Sequence, residues 1–181
     1  TKENLYYILS ALMIGLIVGG IDALFGRVLI AITDFRGRYI QIFIWFLPIA
    51  GLFICWMYHR FNEMSLKGMT LVLETAQGKR ADIPLALVPL VMVGTWITHL
   101  FGGSAGREGV AVQIGATLSH WFARRFKFAD NRTILLIAGM AAGFGGLFQT
   151  PFAAVFFAME VVVTGKMLYQ AFLPSLVAAV T

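Results

Sequence analysis

The sequence predicts an all-α membrane protein of a single helical unit, and three observations carry that prediction. First, 59% of its 181 residues are hydrophobic and only 13% are charged, about half the charged share usual in soluble domains; mean hydropathy is +0.82. Second, apolar runs at residues 5–21, 39–58 and 83–101 each approach the roughly 20 residues needed to cross a bilayer core. Third, glycine-dense stretches at 102–109 and 143–146 interrupt the apolar pattern. Lipid cannot satisfy exposed backbone groups, so such breaks must be buried in protein or line a cavity. These features argue against a soluble helical domain and against a cleaved leader at 5–32, which lacks a small-residue cleavage pattern and is followed by further spans.

The elements follow in order. A first helix is expected over residues 5–33, a turn at Asp34-Phe35-Arg36-Gly37-Arg38, and a second helix over 40–58. A polar, basic stretch at 59–67 leads into a short segment at 69–76 that begins after Gly68, then a loop at 77–82. Pro84 suits a first helical turn and opens a third helix to Leu100. Residues 102–106 break it, and a helix from Gly109 to about Phe126 follows. After a loop at 127–131 comes a helix over 132–143, loosened at 143–146, then one opened by Pro151 to about Val163, and a last span starting at Lys166. The Gly- and Ala-rich runs at 134–148 and 151–163 read as helices packed against protein rather than lipid. The final apolar run, 173–181, has no polar cap, so the chain reads as part of a larger subunit.

Charge adds an orientation. The formal net charge is +5. Arg60, Lys67, Lys79, Arg80, Arg124, Arg125, Lys127, Arg132 and Lys166 share one side if the segment at Met69 enters and leaves on that side, with Arg36 and Arg38 opposite. Basic loops favour the cytoplasm, which puts the N-terminus inside and points to a lipid bilayer rather than a nucleic acid as partner. The single Cys55 allows no intrachain disulfide, and no His, Cys and carboxylate spacing suggests a metal site.

The break at Gly102–Gly109 contains Arg107 and Glu108. A helix starting there aims its free N–H groups and positive dipole end into the cavity that the break must line, which suits an anion. An ionisable group at membrane depth is costly and is a functional candidate by default. The Glu108 carboxylate can compete with a bound anion for the same donors and gives them up when protonated, which links anion and proton occupancy; the alternative is a structural ion pair with Arg107. Gly68-Met69-Thr70 is a second, weaker start of the same kind. Glu160, inside an apolar run, is a candidate for the proton path or a packed carboxylate. Asp22 faces either a polar interior or the far interface, and a structural role is the simpler reading. Glu74 and Asp82 read as loop or helix-end charges, and His99 as a satisfied interfacial histidine.

Two segments carry a family resemblance. Gly106-Arg107-Glu108-Gly109-Val110-Ala111-Val112-Gln113-Ile114-Gly115 resembles the GREGP-x-VQ-x-G signature of the CLC chloride channel and transporter family, and residues 141–160 resemble its AAGxxAAFNAPLAGxxFxxE segment. The resemblance covers the whole chain as the N-terminal transmembrane half, residues 1–181, of a CLC subunit. It implies a CLC-type fold, the first of two inverted repeats with re-entrant broken helices. It also implies a homodimeric membrane transporter rather than an enzyme, with no cofactor beyond the transported anion and protons. Glu108 matches the external gating glutamate. Gly106, Arg107, Gly109 and Val110 match the loop whose amides bind the anion, and Gly68, Met69 and Thr70 match the chloride-type GSGIP start. The remaining anion ligands are expected in the C-terminal half of the same subunit.

The departures bear on which anion is carried. Met69 stands where the chloride-binding serine would be, Val110 where GREGP has proline, and Val161 where exchangers place an internal proton glutamate, Glu160 being one position earlier. This pattern resembles the branch that exports fluoride in exchange for protons across bacterial membranes. A thioether cannot replace a hydroxyl donor, so other donors must compensate around a desolvated anion. A chloride channel or chloride/proton exchanger, and a non-transporting membrane scaffold, are the other readings.

Overall fold

The charged segment 34–38 is helical rather than a turn, and this moves the first reversal of the chain. A computed structural model describes residues 2–80, 82–126, 132–162 and 167–181, with backbone alone for residues 2–5. Helix α1 runs Lys2–Phe43 with a kink at Tyr39 (φ −132°, ψ 16°). A 3-10 turn at Ile44–Phe46 and helix α2, Leu47–Phe61, follow. Nothing in 34–38 forbids a helix, since a lone Gly37 costs only about 1 kcal/mol there. The break falls where Pro48, in the first turn of α2, has no N–H to bond back and crowds the carbonyl four residues earlier. The chain then returns along α4 (Leu87–Leu100): Leu47 lies at Gly103, while Ile54 and Tyr58 lie at Gly94.

The other elements are α3 (Met69–Ala76), α5 (Glu108–Arg125), α6 (Arg132–Phe148), α7 (Pro151–Val161) and α8 (Phe172–Val180), with short 3-10 turns at Glu63–Lys67 and Tyr169–Ala171. Among the described residues there is no strand. Helix α4 begins three residues after Pro84, whose carbonyl accepts from the Leu87 N–H at 3.0 Å. Helix α5 begins one residue earlier than the glycine pattern suggests, so Glu108 is its first residue. The expected loop at 127–131, the end of the seventh helix at Val163 and the start of the last span at Lys166 lie outside the described residues.

Helix α6 is the centre of the fold. Residues from Ile134 to Gly143 are buried without interruption, so packing against α1, α5, α7 and α8 replaces lipid on every face. The expected loosening at 143–146 does not occur; α6 is one continuous helix to Phe148. Its glycines serve approach rather than flexibility. A Cβ on Gly115 would lie 1.9 Å from the Gly139 carbonyl oxygen, and one on Gly143 would lie 2.1 Å from that of Ala111. Helices α5 and α6 therefore cross in backbone contact, as small residues at four-residue spacing permit in membrane bundles. Helix α7 is two-faced: Ala154, Val155, Ala158 and Met159 are buried, while Phe152, Phe156 and Glu160 form an exposed stripe.

On the side away from the 102–107 break, Glu74 near the end of α3 binds Arg80 at 2.5 Å and Lys67 at 3.8 Å. Both flanks of α3 thus meet at one carboxylate, the geometry of a segment that enters and leaves on one side.

Candidate functional site

Helix α5 opens at the end of the Gly-rich break. Arg107 is its N-cap with no side-chain cap, and the first bond closes from the Ala111 N–H to the Arg107 carbonyl at 3.1 Å. The N–H groups of Glu108, Gly109 and Val110 therefore have no partner inside the helix. Glu108 is exposed, and its Oε2 would stand 3.0 Å from a Cβ on Gly106, so its carboxylate folds back over the loop. Among the described residues Glu108 forms no ion pair, with Arg107 or any other cation. The structural-pair alternative is not the arrangement present.

A cavity of about 400 Å³ opens beside this start, lined by Thr33, Asp34, Arg36, His99, Ser104 and Arg107 among others. Arg36 Nη1 donates to the His99 carbonyl at 3.2 Å, near the C-terminus of α4 where a cation is favoured. With Arg107 it gives the lining of this mouth two cations against the single Asp34, and the Glu108 carboxylate lies over the adjoining loop. His99 is satisfied, as expected, by the Thr95 carbonyl 2.9 Å from its Nδ1.

Helix α3 supplies the second start. Gly68, its N-cap, has φ +51° and ψ −123°, a conformation that only glycine adopts without strain. The two starts meet at one side chain: Gln113 Oε1 lies 3.5 Å from a Cβ built on Gly68, and its Nε2 lies 3.7 Å from one built on Gly109. Gln113 is 8% exposed. Gln113 belongs to the 106–115 signature, but only its position one turn beyond Gly109 marks it in the sequence.

The other candidates divide. Val110 is buried with Phe25, Leu29 and Ile114, so only its backbone can face an anion. Met69 packs partly against the core and Thr70 is exposed. Glu160 is exposed on α7 and lines none of the described cavities, while Val161 packs against the core. Asp22 is 1% exposed, in the interior rather than at an interface. Among the described residues no group of His, Cys, Asp and Glu is placed to hold a metal ion.

At the opposite end of α5, Asp82 accepts from Arg124 and lies 3.2 Å from His120 Nε2. Partial burial works to raise the Asp82 carboxyl, but the Arg124 guanidinium and His120 outweigh it and hold it below the usual carboxylate range.

Comparison with known proteins agrees with this architecture. A crystal structure described as a CLC-type fluoride/proton antiporter superposes with a TM-score of 0.95 at 46% identity, covering 99% of this chain and 45% of that one. A "Chloride/fluoride channel protein" of Pseudomonas syringae pv. tomato is 37% identical over 93% of this chain and 37% of its own length. A "Voltage-gated ClC-type chloride channel ClcB" of Salmonella typhimurium is 27% identical over 72% of this chain and 31% of its own length. The chain thus spans less than half the length of these relatives. They are ion channels and transporters rather than enzymes, and multi-pass membrane proteins. With the family model described as "Voltage gated chloride channel" matching residues 50–181 and the fold in agreement, this chain belongs to the CLC family of chloride channels and transporters.

Proposed function

We propose that this chain is the N-terminal half of a CLC subunit that exports fluoride across the cell membrane in exchange for protons, with Glu108 as the gating and proton-coupling group. The observation that carries the reading is the convergence of the α3 and α5 starts on Gln113, next to an exposed carboxylate that pairs with no cation among the described residues. Unpaired N–H groups at a helix start stabilise a negative group. The Glu108 carboxylate and an incoming anion compete for them; protonation removes Glu108 from the competition and admits the anion. Gly68, Met69, Thr70, Gly106, Arg107, Gly109 and Val110 form this half's share of the anion site. The C-terminal half of the subunit supplies the rest, and two subunits pair as a homodimer with the N-terminus in the cytoplasm. Glu160 is a candidate for the inner end of the proton path.

Fluoride is favoured over chloride by Met69, Val110 and Val161, and by the 46% identity to a protein described as a fluoride/proton antiporter. The chloride reading is supported by the relatives named as chloride/fluoride and chloride channels. Flux from liposomes holding the full-length protein separates them. Fluoride should leave much faster than chloride, with protons moving the opposite way, and Glu108→Gln should abolish the proton movement. Equal rates for the two anions would turn the assignment to a chloride channel or exchanger, and no flux of either would favour a scaffold.

A further inference from the structure

The antiport reading leaves one buried carboxyl unused. Asp22 lies in the middle of α1, 1% exposed, and neither of its oxygens has a hydrogen-bond partner among the described residues. Among those residues no cation is paired with it. Helix α1 packs against α4, α5, α6 and α8. The titratable or charged side chains on those four are His99, Glu108, His120, Arg124, Arg125 and Arg132, and none of them bonds to Asp22. His120 and Arg124 are engaged by Asp82, and His99 by the Thr95 carbonyl.

What Asp22 meets is glycine. Its Oδ2 stands 3.4 Å from a Cβ built on Gly143 and 3.9 Å from one on Gly146. The same point on Gly143 is 2.1 Å from the Ala111 carbonyl. The carboxyl therefore sits where α1, α5 and α6 join, beside the first turn of the helix that Glu108 opens. Three residues along α5 separate Glu108 from Ala111, about 4.5 Å of rise. An ionised carboxylate without a partner in a protein interior is costly, whereas the protonated acid is neutral. Ionisable groups in such positions mark proton relays in membrane transporters.

We propose that Asp22 is a second proton-binding carboxyl that exchanges protons with Glu108, serving in place of the acid absent at Val161. The proposal rests on the antiport reading. In the transfer, the Asp22 acid gives its proton through water to the Glu108 carboxylate: Asp22 becomes ionised, Glu108 neutral, and the charge of the pair is unchanged. Asp22 then takes a proton from the opposite side.

The test uses full-length protein, wild type and Asp22→Asn, which keeps the side chain's shape while removing its exchangeable acid. Infrared difference spectra should show a protonated carboxylic carbonyl band that is lost in Asp22→Asn. In liposomes, protons moved per fluoride should fall at least tenfold while elution and Tm stay near wild type. If Asp22→Asn does not fold, Asp22→Glu and the wild-type band under isotope exchange carry the test: a band at Asp22 that never exchanges with deuterium overturns the relay. A lost band with wild-type coupling also overturns it, leaving a structural acid. A wild type that moves no protons against fluoride sinks both the relay and the antiport reading. A wild type that couples beside an Asp22→Asn that couples equally sinks the relay alone.

Discussion

The middle and the beginning of helix α5 use glycine for opposite ends. In the middle, Gly115 faces Gly139 of α6 so closely that a single methyl group would enter the opposing backbone. At the beginning, Gly106 and Gly109 surround an exposed carboxylate, and the nearest atom to a Cβ on Gly109 is 3.7 Å away. The middle is a packed seam that holds the helix rigid; the beginning is an open turn that leaves backbone donors free. A transporter needs both, because free N–H groups select an anion only if the helix that carries them is held in place.

Substitutions can break either side of this contrast. The largest effect is expected in the seam: Gly115→Val should cost more than about 3 kcal/mol by overpacking against backbone that cannot yield, read as loss of the monodisperse folded protein in size-exclusion chromatography. A Gly115→Val protein with wild-type Tm would show that the seam is not tight. Next comes the junction of the two starts. Gln113→Leu keeps side-chain bulk but removes the amide that stands between the two starts, and should lower anion flux by about tenfold, equivalent to about 1.4 kcal/mol, by loosening their mutual placement, with little change in Tm. Gly68→Ala leaves ordinary contact distance to Gln113, 3.5 Å, so its cost of about 1–3 kcal/mol should come from backbone strain alone and appear in Tm together with reduced flux.

The smallest effect is expected at the far end of α5. Asp82 is half exposed, and exposed pairs contribute little. Its carboxyl is held low in the folded protein, so the stabilisation is fully present above the ordinary carboxylate range and is lost as pH falls through the lowered value. Asp82→Asn should therefore lower Tm by about a degree or less at neutral pH, and the difference from wild type should vanish in strong acid. A difference that grew with acidification would reverse the assigned sign.

Much of the site was legible in the chain because its chemistry is local. The break at 102–109, the helix that follows it, the start after Gly68 and the family signature are all contiguous residues whose backbone needs are written in glycine and proline. The misreadings were of another kind. Residues 34–38 looked like a turn because charge in an apolar chain usually marks an end, yet Arg36 reaches the His99 carbonyl and Asp34 lines the mouth, so the helix continues through them. The glycines at 143–146 looked like a weak point because an isolated helix containing them would be one. In the protein they face α5, Asp22 and the α8 backbone, and burial more than offsets their low propensity.

The sequence by itself determined the all-α membrane class, the family, and the Gly-rich turn with Glu108 at its centre. These depend on composition and on consecutive residues. Only the tertiary structure decided that Gln113 stands between two helix starts 39 residues apart, that Glu108 pairs with no cation among the described residues, that Glu160 is exposed, and that Asp22 is buried in the α1–α5–α6 junction. Each of these depends on which faces of separate helices meet, and that is set by close packing among small residues rather than by any local pattern along the chain.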